Sequence, residues 1–149
     1  MKLLKAFSLF IISLSTACTE QASKTEIQGT WQLQTGTLIE NGDTTLTDYT
    51  KGQSFIKILN ETHFAFLLHD LQQGKDSTSA TYSAGGGTYD LDGNKYTEHL
   101  EYYSAREWEG HDFNFEIEIN GDTLIQQGVE ELSDQNIKRY NIEKYLRVK

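Results

Sequence analysis

Four histidines, His63, His69, His99 and His111, are the side chains best suited to hold a metal or move a proton near neutral pH. Their spacing does not join them. No His-Glu-x-x-His pair puts two on one helical face, and the single cysteine, Cys18, cannot build a Cys-based zinc site. His69-Asp70 and His111-Asp112 lie at segment ends, where two loops could bring them together. Ser54, Ser79 and Ser83 lack the Gly-x-Ser-x-Gly setting that sharpens a serine into a nucleophile. Glu116 and Glu118 alternate with Phe115 and Ile117, so they read as the wetted face of a strand and not as a glycosidase pair. Gly85-Gly86-Gly87 is followed by neither Lys-Ser/Thr nor a helix, so it does not cradle phosphate. No catalytic residue, metal ligand or cofactor motif emerges, and the chemistry left to consider is binding.

A small set of polar residues is placed oddly for binding of that kind. Glu98 alternates with Tyr96 and Leu100, Gln126 with Leu124, and Lys57 with Phe55 and Leu59. Each falls on the apolar side of its segment. A carboxylate buried without a partner costs several kcal/mol, roughly, or takes up a proton. Glu98 could therefore orient the polar end of a ligand in an aromatic pocket, pair internally with Lys57 or Tyr89, or sit in water inside the barrel. Glu143, alternating with Tyr145 and Arg147, could join this group. Phe66, Tyr102 and Phe115 would supply the pocket walls. Trp108, in the connection Ala105–His111, would cap a ligand, touch a partner or fold over its own loop.

These positions need strands to hold them. Phe113–Ile119 and Tyr96–Tyr102 alternate strictly, which marks strands with one buried and one wetted face. Eight tyrosines and seven phenylalanines suit a pleated surface. Asn41-Gly42-Asp43, Asp92-Gly93-Asn94 and Asn120-Gly121-Asp122 are tight-turn signals. The pattern predicts eight strands, near 30–39, 53–59, 63–69, 79–91, 95–104, 112–120, 123–129 and 138–148. Long connections, near 40–52, 70–78, 105–111 and 130–137, alternate with tight ones near 60–62, 92–94 and 120–122. In an up-and-down meander the tight turns then share one end and the long loops the other. The last strand finishes beside the first, bringing Arg147 to Trp31, and the sheet closes into a barrel without free edges. The three glycines at 85–87 would let the long fourth strand bend. The turns also set the facing: Tyr89 opposite Glu98, Leu91 opposite Tyr96, Ile117 opposite Gln126, and Trp31, Leu33, Thr35 and Ile39 inward along the first strand.

Composition bounds the rest. The chain has 149 residues, enough for one domain. It has no proline and a net charge of −9, and that charge argues against nucleic acid as a partner. Residues 1–17 carry Lys2 and Lys5, an apolar stretch over residues 6–14 and small residues at 15–17, the layout of an export signal. The apolar stretch is shorter than the roughly 20 residues that span a bilayer. Ser15-Thr16-Ala17-Cys18 resembles a bacterial lipobox, which implies that Cys18 becomes lipidated and anchors the chain in an envelope membrane, the outer one by preference; an ordinary secretory signal with an incidental cysteine is the alternative. Cleavage there removes two of the 13 basic residues and none of the 22 acidic ones, so the charge deepens to −11. Residues 18–27 read as a polar tether and 28–149 as the barrel domain.

Gly29-Thr30-Trp31 resembles the Gly-x-Trp motif that opens lipocalins and other calycins, and Tyr145-Leu146-Arg147-Val148-Lys149 resembles their last strand. That resemblance implies an arginine, here Arg147, packed across Trp31 to close the barrel floor with Tyr145 beside them. Thr62-His63-Phe64, Gly86–Tyr89, Tyr96–Tyr102 and Gly121–Leu124 are also similar to stretches of lipocalin-like lipoproteins of Bacteroidetes-type bacteria, a family of unknown function. By analogy of fold the barrel is expected to bind a small hydrophobic or amphipathic ligand, and no cofactor is expected; the ligand type is not carried over from the resemblance. It does not name the ligand or the oligomeric state. The chain departs from typical secreted lipocalins in lacking their disulfides and C-terminal helix. The competing expectation is a barrel packed solid with aromatic side chains, acting as a protein- or glycan-binding module at the envelope.

Overall fold

The computed structural model describes residues 22–149; the leader and the lipobox cysteine read from the sequence lie outside the described residues. A one-turn helix α1 (Lys24–Ile27) leads into nine strands: β1 (Gly29–Glu40), β2 (Asp43–Asp48), β3 (Gln53–Leu59), β4 (His63–Asp70), β5 (Tyr82–Asp92), β6 (Lys95–Tyr103), β7 (His111–Asn120), β8 (Thr123–Leu132) and β9 (Ile137–Arg147). All pairings are antiparallel. The order β1-β3-β4-β5-β6-β7-β8-β9 closes on itself through β9 and β1, which makes an eight-stranded barrel, and β2 is the extra strand. The eight-stranded up-and-down all-β barrel expected from turns and alternation is the architecture found, and it is consistent with the lipocalin-like form that the resemblance implies.

β2 is the first departure from the sequence reading. Residues 40–52 were expected to be connection, yet Asn41 (φ 53°) and Gly42 (φ 87°) form a two-residue turn and β2 returns along the upper half of β1, Leu38 opposite Thr45 and Gly36 opposite Thr47. Positive φ at both turn residues gives the twist that suits a hairpin. β2 was hidden because Asp43-Thr44-Thr45-Leu46-Thr47-Asp48 has no apolar alternation, and its one large apolar residue, Leu46, faces solvent. β3 takes over on the same side of β1 lower down, from Gln32–Ile56 to Gly29–Leu59. β2 and β3 together form one return stave, broken at 49–52.

The floor is made by both chain ends. α1 is fixed by a capping box between Ser23 and Glu26, and it buries Ile27 to 1% exposure. The polar tether read as 18–27 therefore ends earlier: residues 24–27 belong to the folded domain. Trp31 is fully buried, and its indole N–H donates to the carbonyl of Ile27 at 2.8 Å. Arg147 lies opposite it in the β1–β9 register, with the guanidinium carbon 4.0 Å from the ring centroid. The guanidinium also donates to the carbonyls of Gln28 (2.7 Å) and Glu26 (2.5 Å), acceptors at the end of a short helix that has no further turn to satisfy them. Glycine suits position 29 because its φ of 133° strains any other residue, and a Cβ there would also sit 2.8 Å from Arg147 Nη1 and displace the guanidinium.

Two bulges then set the facing of the upper barrel. On β1 the register against β9 slips at Gln34, so Gly36 and Leu38 face the interior and Ile39 turns outward at 37% exposure. This corrects the expected inward Thr35 and Ile39. On β6 the register against β5 slips at Glu101: Gly86 faces Tyr102 and Gly87 faces Leu100. The bulged Glu101 turns back to accept hydrogen bonds from Thr88, N–H at 3.2 Å and Oγ1 at 3.0 Å. Glycine is needed at 87, where a Cβ would collide with the His99 carbonyl, and Gly85 makes room for the Phe66 ring.

Candidate functional site

Five side chains from four staves meet above the floor. Lys57 (β3), Glu98 (β6) and Gln126 (β8) are 3%, 6% and 3% exposed. The Lys57 ammonium donates to Glu98 Oε1 at 2.6 Å and to Gln126 Oε1 at 2.8 Å, and the Gln126 amide reaches Glu98 Oε1 at 3.5 Å. The internal partner foreseen for Glu98 is thus Lys57. Such a pair loses hydration on both sides, and only close geometry with additional hydrogen bonds offsets that loss. The rings of Phe64, Tyr96 and Tyr145 stand 5.6–5.8 Å from the ammonium and add a weaker attraction.

β9 supplies the other two members. Tyr145 donates its hydroxyl to Glu143 Oε2 at 2.6 Å. Burial raises the pKa of Glu143, opposed by the Lys57 charge and by the Tyr145 hydrogen bond. Burial also drives the phenols of Tyr145 and Tyr96 well above their usual value, and the neighbouring carboxylates push the same way, so both stay protonated. The Tyr96 hydroxyl is buried with no hydrogen-bond partner among the described residues.

Above these groups the barrel is hollow. A cavity of about 290 Å³ runs from Lys57, Glu98, Gln126, Glu143 and Tyr145 up to the loop end. Its walls are Phe55 and Phe66, stacked at 5.9 Å, with Tyr103 against Phe66 at 5.3 Å and Tyr49 against Phe55 at 5.8 Å. Phe115, Leu38 and Leu68 complete the apolar lining, and Thr45 and Thr47 of β2 extend it. At the rim Arg139 Nε pairs with Glu130 at 2.6 Å, and Asn141 donates to the same carboxylate at 3.3 Å.

Of the residues singled out from the sequence, Lys57, Glu98, Gln126, Phe66 and Phe115 line this cavity. Tyr102 does not. It is 67% exposed on the outer face, because the Glu101 bulge reverses the alternation and gives the inward position to Tyr103. Trp108 is beside the rim and outside the lining. It packs on Tyr103 (6.3 Å) and Phe113 (5.7 Å), with the Arg139 guanidinium 4.6 Å over its ring. Tyr49, Tyr103, Glu130 and Arg139 were missed. The Glu130–Arg139 pair was legible in principle, since both continue the inward alternation of Gln126 and Glu143.

A broader hollow of about 600 Å³ lies outside the barrel, against the β4–β5 connection at Asp70, Gln73 and Tyr82. Its one carboxylate is consumed locally, accepting from the backbone N–H groups of Gly74 (2.9 Å) and Thr81 (3.3 Å). Among the described residues no three His, Cys, Asp or Glu side chains converge as a metal site, and no helix is long and apolar enough to cross a membrane. Comparison with protein-family models, with curated proteins and with solved structures found no significant match to the chain.

Proposed function

We propose that the protein is an envelope lipoprotein, anchored through Cys18 in the outer membrane, whose barrel binds a small, partly apolar molecule without transforming it. The observation that carries this reading is the interior cavity. A barrel of eight strands has an interior that side chains just fill or that holds one small ligand, so the open volume separates the two cases. Here about 290 Å³ is left open above a polar floor and between aromatic walls, close to the low end of the roughly 300–1,000 Å³ typical of ligand pockets. A packed interaction module has no use for such a space. The polar groups also suit orientation of a ligand: charged and hydrogen-bonding atoms are gathered at one end and apolar rings above them.

Native mass spectrometry of the protein extracted mildly from its own envelope tests the reading. A co-purifying molecule of a few hundred daltons, released on denaturation, is the expected result. Apo protein alone, together with failure of small amphipaths to raise the melting temperature, would refute it. Lipidation is tested separately by the mass of the N-terminal peptide, which carries acyl chains in the wild type and none in Cys18→Ser.

A further inference from the structure

The hydrogen-bonding inventory of the cavity floor is unbalanced. Among the described residues Lys57 is the one cation at the floor, and it is committed to Glu98 and Gln126. Two carboxylates, Glu98 and Glu143, line the floor of the space, and a third, Glu130, lines its rim. Glu98 uses Oε1 for Lys57 and Gln126, and Glu143 uses Oε2 for Tyr145. No described residue donates to the second oxygen of either within hydrogen-bond distance, and the one unpaired donor beside them, the buried Tyr96 hydroxyl, is next to Glu98 and leaves Glu143 the more open of the two. Charge is unbalanced in the same sense: the ammonium pairs directly with Glu98 at 2.6 Å, whereas Glu143 feels that one charge without an ion-pair contact and is hydrogen-bonded by a phenol. The rim does not compensate, because Arg139 is paired with Glu130 at 2.6 Å and lies against Trp108. The groups facing Glu143 are thus Lys57 from β3, Glu98 from β6, Gln126 and Glu130 from β8, Tyr145 and Arg139 from β9, and Tyr49 from the β2–β3 connection. Both cations in that set are occupied by carboxylates.

Resting on the ligand-binding reading above, we infer that the occupant of the cavity is a small monocationic amine, its ammonium donating to the free oxygens of Glu143 and Glu98 and its apolar body lying between Phe55, Phe66 and Tyr103. Two properties of the floor carboxylates and one of the walls agree. Unused acceptor atoms call for a donor, the uncompensated carboxylate calls for a positive charge, and electron-rich ring faces attract a cation on its way past them. An anionic head would meet two carboxylates and no free cation. A neutral hydroxyl would satisfy one acceptor and leave the charge unanswered.

The test compares three probes with a common aromatic body on the purified full-length protein by calorimetric titration near pH 7 and low salt. They are 2-phenylethylammonium, 2-phenylethanol and 3-phenylpropionate. The ammonium is expected to bind about tenfold more tightly than the alcohol, as one charge-assisted hydrogen bond in a partly dry site allows. The carboxylate is expected to bind more weakly than either. Glu143→Gln should remove about that same tenfold from the ammonium while leaving the alcohol within about twofold. Alcohol binding with no preference for the ammonium, or a preference for the carboxylate, overturns the amine assignment and leaves the ligand-binding reading standing. Failure of all three to bind counts against both. The ranking on the wild type decides the matter even where Glu143→Gln does not fold.

Discussion

Removing the Lys57 ammonium is the sharpest perturbation of the barrel interior. Lys57→Met keeps the apolar stem as far as its fourth heavy atom and deletes the ammonium with its charge. It leaves Glu98, 6% exposed, without the cation at 2.6 Å, and Gln126 without its donor at 2.8 Å. Breaking one side of a buried ion pair costs about 3–5 kcal/mol, most of it the penalty of stranding the other charge. The cavity moderates this, since water in it can reach the second oxygen of Glu98, so the lower bound of about 3 kcal/mol is the expected loss. Against a total of roughly 5–15 kcal/mol for a domain, that is a fifth or more of the stability. For a chain of this size it corresponds to a fall of about 10 °C in Tm. Equilibrium urea unfolding followed by tryptophan fluorescence reads the change, because Trp31 is fully buried in the native state. Lys57→Met/Glu98→Leu removes both charges and should recover about 2 kcal/mol of the loss, since an apolar pair of similar volume replaces a buried ion pair at little cost. A single-variant loss under about 1 kcal/mol, or a double variant no better than the two losses added, would show that the pair is not coupled as the geometry requires.

Arg147→Met should cost about 2–3 kcal/mol by urea unfolding, because it strands the carbonyls of Gln28 and Glu26 and removes the cation over Trp31; a change within about 0.5 kcal/mol would refute the closure role. Gly87→Ala should lower Tm more than Gly42→Ala, since only at 87 would the new Cβ collide with a neighbouring strand's backbone; equal losses would mean that strain at φ 87° outweighs that collision. Glu143 titrates higher in the folded barrel than in the unfolded chain, so the folded state holds its proton more strongly. Its contribution is full below the ordinary value of 4.5 and is lost as pH rises through the raised folded value. Stability curves of Glu143→Gln should therefore decline less than the wild type as pH is raised from 4.5, and parallel curves would contradict this.

Much of this architecture was legible because turns and alternation are local. Gly93-Asn94 and Gly121-Asp122 fix two hairpins, and with them the pairings Tyr89–Glu98 and Ile117–Gln126 found in the barrel. The meeting of Lys57 with Glu98, 41 positions apart, was reachable once closure was assumed. What resisted were the breaks in period. A bulge is one residue out of step, and at Gln34 and Glu101 nothing in the residue type announces it. Each bulge carries every later residue to the other face, which is why Tyr103 stands where Tyr102 was expected and Leu38 where Ile39 was. β2 was illegible for a different reason: an edge stave with a polar sequence has no buried face to advertise. Residues 24–27 look like linker by composition, and only the pocket under Trp31 explains why Ile27 is there.

The placement of the two ends has a directional consequence. Ala22, the first described residue, is tied to Asn94 in a tight turn on the floor side, while the Glu130–Arg139 pair guards the opposite end. On the proposed anchoring, the stem leaves from the base of the cup and the lip is turned toward water. Cargo would then arrive by diffusion through the aqueous compartment and not laterally out of the lipid, which favours molecules soluble enough to travel free.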